Sequence, residues 1–129
     1  MMNNVELLSP SVLAFVGDAV YTLYVREALS SVNRPSGELH SLSVKLVNAV
    51  AQAESFAVIE PMLTEKEMSV FKRGRNFHTS STPKSATNAQ YHTATGLEAL
   101  FGYLHLCGEK SRADELFAAI WNAQNKKEL

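Results

Sequence analysis

The hydrophobic pattern is densest in Ser9–Leu29, where apolar residues occupy almost every side of a predicted helix. In the middle of this segment, Asp18 and Thr22 are the only polar side chains apart from two tyrosines. A serine followed by a proline opens the segment, in the order that favours an N-cap and a first helical residue. At 100° per residue, one face consists of Leu13, Val16, Val20 and Leu23. A helix that is apolar on all sides is typical of the centre of a fold, so we predict that Asp18 is buried inside it.

Helical spacing resumes after a turn rich in serine, asparagine, proline and glycine. We predict a second helix over Gly37–Glu60, because a proline follows and apolar residues recur at intervals of three and four. Its apolar stripe consists of Leu39, Leu42, Leu46, Val50 and Ala53. Thr64 and Glu67 then match a T-x-x-E capping box, which predicts a short helix over residues 65–73.

The second half of the chain contains one long loop and two further predicted helices. The sequence Arg73–Asn76 is predicted to end the short helix, and Phe77–Gln90 is a loop of about 14 residues. A second central helix is predicted over Tyr91–Leu106, and a last one begins near Ser111. Their buried stripes are Leu97, Leu100, Phe101 and Leu104, then Leu116, Phe117, Ile120 and Trp121. Strand-like alternation is missing, so we predict an all-α fold of five or six helices in one domain, residues 1–129.

Composition narrows the class of protein. The chain has 129 residues, of which 46% are hydrophobic, enough for one domain with a real core. A single cysteine excludes an internal disulfide and a cysteine-cluster zinc site. No apolar run approaches the roughly 20 residues of a membrane span, and the first residues lack the basic start of a secretion signal. We therefore expect a cytoplasmic protein that has no contact with a membrane.

The net charge of −1 hides a local asymmetry. Between Glu67 and Glu98 there is no acidic residue, so this stretch has a charge of +4 and the rest of the chain −5. Its basic residues are Lys72, Arg73, Arg75 and Lys84. A basic stretch on an acidic protein indicates an anionic partner such as nucleic acid. The alternative is a solvated loop whose charges only keep the chain in solution.

Asp18 and Glu98 are the acidic residues that lie within strongly apolar helices. Each has a small neighbour, Gly17 or Gly102, that would allow the two helices to approach closely. Two carboxylates on crossing helices suit a hard cation such as Mg²⁺ or Mn²⁺, which can activate water for phosphodiester cleavage. The alternative is a structural pair, in which basic side chains or backbone donors compensate the buried charges.

The sequence FVGDAVY, which contains Asp18, resembles the signature helix of ribonuclease III domains. The segments GELHSLSVKLVNA and GLEALFGYLHL continue the resemblance over some 100 residues. KRGRNFHTSSTPK followed by YHTATGLEALFGYL is similar to Mini-ribonuclease III, the short bacterial branch without a double-stranded-RNA-binding domain. The resemblance implies a dimeric, all-α endonuclease domain.

The resemblance also implies roles for individual residues. Asp18 and Glu98 take the places of two metal-binding, catalytic carboxylates, with Mg²⁺ as the cofactor and Mn²⁺ as the alternative. Ribonuclease III enzymes of full length have two further acids, and this chain has Ala14 and Thr95 there. The short branch also lacks acids at these positions, so water and RNA phosphates are expected to complete the coordination of the metal.

The implied substrate is double-stranded RNA, specifically the precursor of large-subunit (23S) ribosomal RNA. A homodimer is implied because each subunit cuts one strand, and a ribosomal protein is a further candidate partner. We expect the basic segment to bind the RNA backbone. The RNA-binding residues predicted there are Arg73, Arg75, Asn76 and Lys84.

Two other functions are compatible with parts of the sequence. The lost carboxylates at Ala14 and Thr95 favour a catalytically inactive ribonuclease III-like module that binds RNA or the ribosome. The retained pair, Asp18 and Glu98, favours the enzyme. A small helical dimer without an RNA role would leave the charge of the basic segment unexplained.

Overall fold

The computed structural model describes residues 4–77 and 87–128, with side chains as far as residue 124. Within these ranges all regular structure is helical, which confirms the predicted all-α class with six α-helices. They are α1 (Pro10–Leu29), α2 (Ser36–Val47), α3 (Ala49–Ile59), α4 (Glu65–Arg75), α5 (Asn88–Leu106) and α6 (Lys110–Glu128). Short 3₁₀ turns lie at Val5–Leu7 and Glu60–Met62.

Helices α1 and α5 form the central pair, and two glycines set how closely they approach. A Cβ atom at Gly17 would lie 1.6 Å from the carbonyl oxygen of Glu98. A Cβ atom at Gly102 would lie 2.0 Å from the carbonyl oxygen of Leu13. The two backbones are therefore in direct contact, and any larger residue would separate the helices. This confirms the prediction that both glycines serve close approach.

The core surrounds this pair. All four residues of the stripe predicted for α5 are fully buried, as are Leu116 and Ile120 of α6. Phe117 is also buried, whereas Trp121 is only partly covered. The ring of Tyr21 packs edge-on against Phe101, with centroids 5.3 Å apart. These contacts join α1, α5 and α6 in one hydrophobic cluster.

The prediction that α1 is buried on all sides was wrong. Its buried residues repeat every four positions and are Leu13, Gly17, Tyr21, Val25 and Leu29. From the predicted face, Val16 and Val20 are only partly covered and Leu23 is 57% exposed. Gly17 lies on the side of α1 that packs against α5. The opposite side of α1 faces solvent and includes Phe15, which is 81% exposed. Asp18 is exposed too.

The predicted helix Gly37–Glu60 is in fact two helices, because Asn48 interrupts it. Asn48 has an extended backbone, with φ −70° and ψ 165°. Its side chain accepts a hydrogen bond from the Ala51 amide at 2.8 Å and donates to the Val44 carbonyl at 3.2 Å, which caps both helices. The bend between α2 and α3 is 58°. No single described helix is long and apolar enough to cross a membrane, although this bent pair has the length and composition together.

The same bend changes which residues are buried. The stripe predicted for this region is only partly covered along its whole length. The fully buried residues are instead Ser43, Gln52, Ser55, Phe56 and Ile59. A change of helix axis at Asn48 rotates a different set of side chains toward α5, so a single periodic pattern over both helices does not describe the core.

The short fourth helix begins as predicted but ends later. Thr64 and Glu67 form the capping box, with bonds of 3.1 Å and 2.9 Å. The helix was predicted to end at residue 73, yet α4 continues to Arg75. The reason is Gly74, which is buried against α5: a Cβ there would lie 2.6 Å from the Cβ of Ala99. This glycine therefore serves helix packing.

The ends of α5 are set by local signals. Thr87 and Gln90 form a second capping box, which starts the helix at Asn88, three residues before the predicted start. Gly108 follows the helix with φ 73°, a left-handed conformation that glycine adopts readily and that commonly ends helices. Residues 78–86 of the predicted loop, including Lys84, lie outside the described part of the chain.

Candidate active site

The structure brings Asp18 and Glu98 together where α1 crosses α5. Asp18 follows Gly17, and Gly17 touches the backbone of Glu98 itself. The two carboxyl groups are close enough to share a hydrogen bond. Two acids that are 80 positions apart in the sequence therefore form one site, because the glycine contact fixes both helices at this point. Their expected proximity is confirmed.

The pKa of Glu98 is raised at this site. Burial, followed by the negative charge of Asp18, raises the pKa of Glu98 from 4.5 to about 8, although a hydrogen bond from Gln52 opposes this. Without a cation, Glu98 therefore holds a proton at neutral pH. A bound cation would favour the ionised form, so its binding would release that proton. The predicted cost of burial applies to Glu98, whereas Asp18 is open to solvent.

Gln52 is the residue at this site that the sequence analysis missed. Its side chain is buried, at 2% exposure. The amide nitrogen donates to the Val47 carbonyl at 2.9 Å and approaches Oε2 of Glu98 at 3.4 Å. The amide oxygen is buried without a hydrogen-bond partner in the described part of the chain. A signal was present, since Gln52 interrupts the small apolar residues of AVAQA, but the predicted register placed it outside the apolar stripe.

The side chains at this site that could bind a metal are those of Asp18 and Glu98, and both would bind it through oxygen atoms. In the described ranges, no histidine, cysteine or further acidic residue joins the two carboxylates to form a cluster of three metal ligands. One turn before each acid the chain has Ala14, which has no ligand atom, and Thr95, whose hydroxyl donates to the Tyr91 carbonyl at 3.1 Å. Oxygen ligands suit a hard divalent cation, and a set of two leaves room for water and substrate. The residues present fit such an ion.

Arg73 has a structural partner. Its guanidinium group donates to the carbonyl oxygens of Glu6, at 3.1 Å, and Leu8, at 2.8 Å. These bonds hold the N-terminal 3₁₀ turn against α4, and Lys66 adds an ion pair to Glu6 at 2.9 Å. The predicted contact of Arg73 with RNA stays a prediction, and the side chain has this second role in addition.

Arg75 and Asn76 lie at the C-terminal end of α4. The guanidinium carbon of Arg75 lies over the ring of Phe71, 5.7 Å from its centroid. Arg75 also donates to the side-chain oxygen of Asn76 at 3.2 Å. Asn76 and the nearby Lys72 are exposed. The end of α4 therefore presents basic and amide groups to solvent.

A sequence profile and a solved structure identify the class of protein as a ribonuclease III domain. The sequence profile of the Ribonuclease III domain matches residues 11–109, which include both carboxylates. A crystal structure of a protein from Fusobacterium nucleatum superposes with a TM-score of 0.84 at 29% identity, over 99% of this chain and 100% of that chain.

Relatives within this class are more similar still. A Mini-ribonuclease 3 from a Thermoanaerobacter species is 50% identical over 106 residues, which cover 81% of this chain and 75% of that protein. The Mini-ribonuclease 3 of Streptococcus pneumoniae is 40% identical over 119 residues, 89% of this chain and 92% of that protein. The chain belongs to the ribonuclease III family, in its Mini-ribonuclease 3 branch, and it is an endoribonuclease.

Proposed function

We propose that this protein cleaves double-stranded RNA with a divalent cation held by Asp18 and Glu98. The observation that carries the proposal is the pairing of these carboxylates across the glycine contact between α1 and α5. Mg²⁺ is the proposed ion and Mn²⁺ the alternative, since both prefer oxygen ligands. A bound cation would activate water and stabilise the charge that develops on the phosphodiester.

The two carboxylates would contribute differently. Asp18 is exposed, so it can meet both a hydrated cation and the RNA backbone without first being uncovered. Glu98 is partly buried and exchanges its proton for the cation, which makes metal binding stronger as the pH rises. Both side chains project from long packed helices, and such a scaffold keeps ligands in place better than a loop does.

We propose that the basic end of α4 and the segment after it bind the RNA backbone. Duplex RNA is recognised mainly through its shape, phosphates and 2′-hydroxyls, which suits arginine, lysine and asparagine side chains. Arg75 and Asn76 present such groups at the helix end, and Lys84 follows in sequence. Arg73 would contribute its charge while it holds the N-terminal turn.

A homodimer is the proposed active form, with an interface on the solvent side of α1. Val12 and Phe15 are 43% and 81% exposed there, and Val16, one turn after Val12, is partly covered. Exposed apolar side chains that cluster on one helix face are typical of an interaction surface. Two subunits would supply two sites, one for each strand of a duplex.

The proposed substrate in the cell is the precursor of large-subunit (23S) ribosomal RNA, in the bacterial cytoplasm. Support comes from the family resemblance and from relatives that are bacterial Mini-ribonuclease 3 enzymes. A ribosomal protein bound to the precursor is a candidate partner. The competing function is that of an inactive RNA-binding module. The feature in its support is that Ala14 and Thr95 occupy positions where longer ribonuclease III enzymes have acidic residues.

Incubation of the purified protein with a labelled duplex from a ribosomal RNA precursor separates the two functions. The enzyme is expected to cut both strands when Mg²⁺ is present and neither strand when a chelator has removed it. Binding of the duplex without cleavage in Mg²⁺ or Mn²⁺ would identify an inactive module.

A further inference from the structure

Gln52 has an unusual combination of burial and incomplete hydrogen bonding. A buried amide oxygen without a partner costs about 1–3 kcal/mol, so most buried polar atoms are paired. Methionine has nearly the same shape and could fill this space without that cost. The bond to the Val47 carbonyl accounts for the amide nitrogen of Gln52, which is 2% exposed, but stability gives no reason for an amide oxygen beside Glu98 that is unpaired in the described ranges.

The backbone around Gln52 fixes where its amide group points. The break at Asn48 starts α3, and the Gln52 backbone amide donates to the Asn48 carbonyl at 2.9 Å. The side-chain nitrogen then binds the carbonyl of Val47, the last residue of α2, also at 2.9 Å. The same nitrogen has a second hydrogen directed to Oε2 of Glu98. The Gln52 amide group, which contacts Glu98, is thus held in place by its hydrogen bond to the junction between α2 and α3.

Gln52 supplies a side-chain donor that reaches the Glu98 carboxylate at the crossing of α1 and α5. The carboxylate is partly buried and lies beside the like charge of Asp18. Partners that orient the ligands of a metal are as much a part of the site as the ligands themselves. We propose that Gln52 is a positioning residue that holds the Glu98 carboxylate toward Asp18, ready to bind the cation. This inference rests on the proposed function, since it assigns Glu98 to the metal.

The test uses the RNA-free 129-residue chain and measures Mn²⁺ affinity by calorimetry. Gln52→Met removes the amide but keeps the length of the side chain, and we expect metal affinity to fall by about 10- to 100-fold. Ser55→Ala is the matched control, since Ser55 lies one turn further along α3, is 1% exposed and bonds Ala51 and Gln124 instead. Its metal affinity is expected to stay at the parent value.

Thermal melting without metal separates positioning from a general loss of structure. The Gln52→Met protein is expected to melt like the Ser55→Ala control, while the Mg²⁺ concentration for half-maximal cleavage rises and saturating Mg²⁺ restores the rate. If Gln52→Met does not fold, Gln52→Asn carries the test, because its shorter amide withdraws the donor from Glu98. In a Glu98→Gln background, the change at Gln52 is expected to have no further effect on metal affinity.

The outcomes distinguish this inference from the proposed function. Parent-like metal affinity in the Gln52 variant, together with loss of affinity in Glu98→Gln, would overturn the positioning role alone. Parent-like affinity in both variants would overturn the metal assignment of Glu98 as well. An equal loss in Gln52→Met and Ser55→Ala would show that any buried polar change in α3 has this effect, and would also reject the inference.

Discussion

At the scale of single residues, the site depends on an unequal pair of carboxylates. Asp18 is in solvent, while Glu98 carries the cost of burial and of its charged neighbour. This difference has a thermodynamic consequence, because the folded protein holds a proton on Glu98 that the unfolded chain releases above pH 4.5. The contribution of protonated Glu98 to the free energy of unfolding is therefore fully present below pH 4.5 and is lost as the pH rises toward 8.

We predict that the metal-free protein loses stability between pH 5 and pH 8 and that Glu98→Gln removes this part of the loss. Because Glu98 is partly solvated, the expected difference at pH 8 is on the order of 2 kcal/mol in favour of the variant. Urea unfolding of both proteins across this pH range measures it. Parallel pH profiles for parent and variant would show that the pKa of Glu98 is not raised.

At the scale of helices, local signals were readable from the sequence and tertiary contacts were not. The cap at Ser9 and the box at Thr64 are formed by neighbouring residues, so sequence alone predicted them. Asn48 was missed because a helical pattern of apolar residues runs through it on both sides. The segment Arg73–Asn76 was predicted to end α4 too early, because the contact of Gly74 with α5 joins residues that are distant in sequence.

The candidate site was predictable to a similar extent. Asp18 and Glu98 stand out as acids in apolar helices, and the glycines beside them indicated a close crossing. Gln52 could not be placed, because its position depends on the bend between α2 and α3. The exposure of Asp18 also depends on how α1 meets α5, which periodicity does not determine.

We predict that Gly17→Ala damages both the fold and catalysis. Its Cβ would lie 1.6 Å from the Glu98 carbonyl oxygen, so the helices must separate, at a cost of about 1–3 kcal/mol or more. Separation also moves Asp18 away from Glu98, and cleavage is expected to fall by about tenfold or more. Gly37→Ala is the control, since nothing lies within 4 Å of its Cβ position. Equal stability and activity of the two variants would refute the role of the glycine contact.

At the scale of the whole molecule, charge and apolar surface are distributed unevenly. The basic residues between Glu67 and Glu98 contrast with an acidic remainder, and α1 has an apolar side that α5 does not cover. These two surfaces correspond to the two partners in the proposed function, the RNA and a second copy of the chain. Each surface leads to a separate prediction.

The RNA surface is tested by the salt dependence of binding. In a catalytically silent Asp18→Asn background, Arg75→Ala and Lys84→Ala are each expected to lower the log–log salt slope by about 0.7–0.9, the value for one lost phosphate contact. Lys110→Ala on α6 is the control, since it removes an exposed basic residue from outside the proposed RNA surface. Slopes that match the control would place the RNA surface elsewhere.

The dimer surface is tested by light scattering. Phe15→Asp puts a charge on the exposed side of α1 and is expected to give particles of the 14.2 kDa chain mass at micromolar concentration. The parent is expected at twice that mass. Val32→Asp is the control, because Val32 is 54% exposed but lies beyond the end of α1. A parent that is already monomeric and still cuts both strands would reject the proposed homodimer.

The central claim is that Asp18 and Glu98 together hold the cation that cuts the RNA, and single-turnover cleavage of duplex RNA in saturating Mg²⁺ tests it most directly. Asp18→Asn and Glu98→Gln nearly preserve shape and remove one negative charge each, while Glu27→Gln makes the same change at an exposed position further along α1. We expect both site variants to bind RNA, fold normally and show no cleavage, and the Glu27 variant to cut at the parent rate. Cleavage at the parent rate by either site variant would contradict the assignment of that carboxylate to the metal.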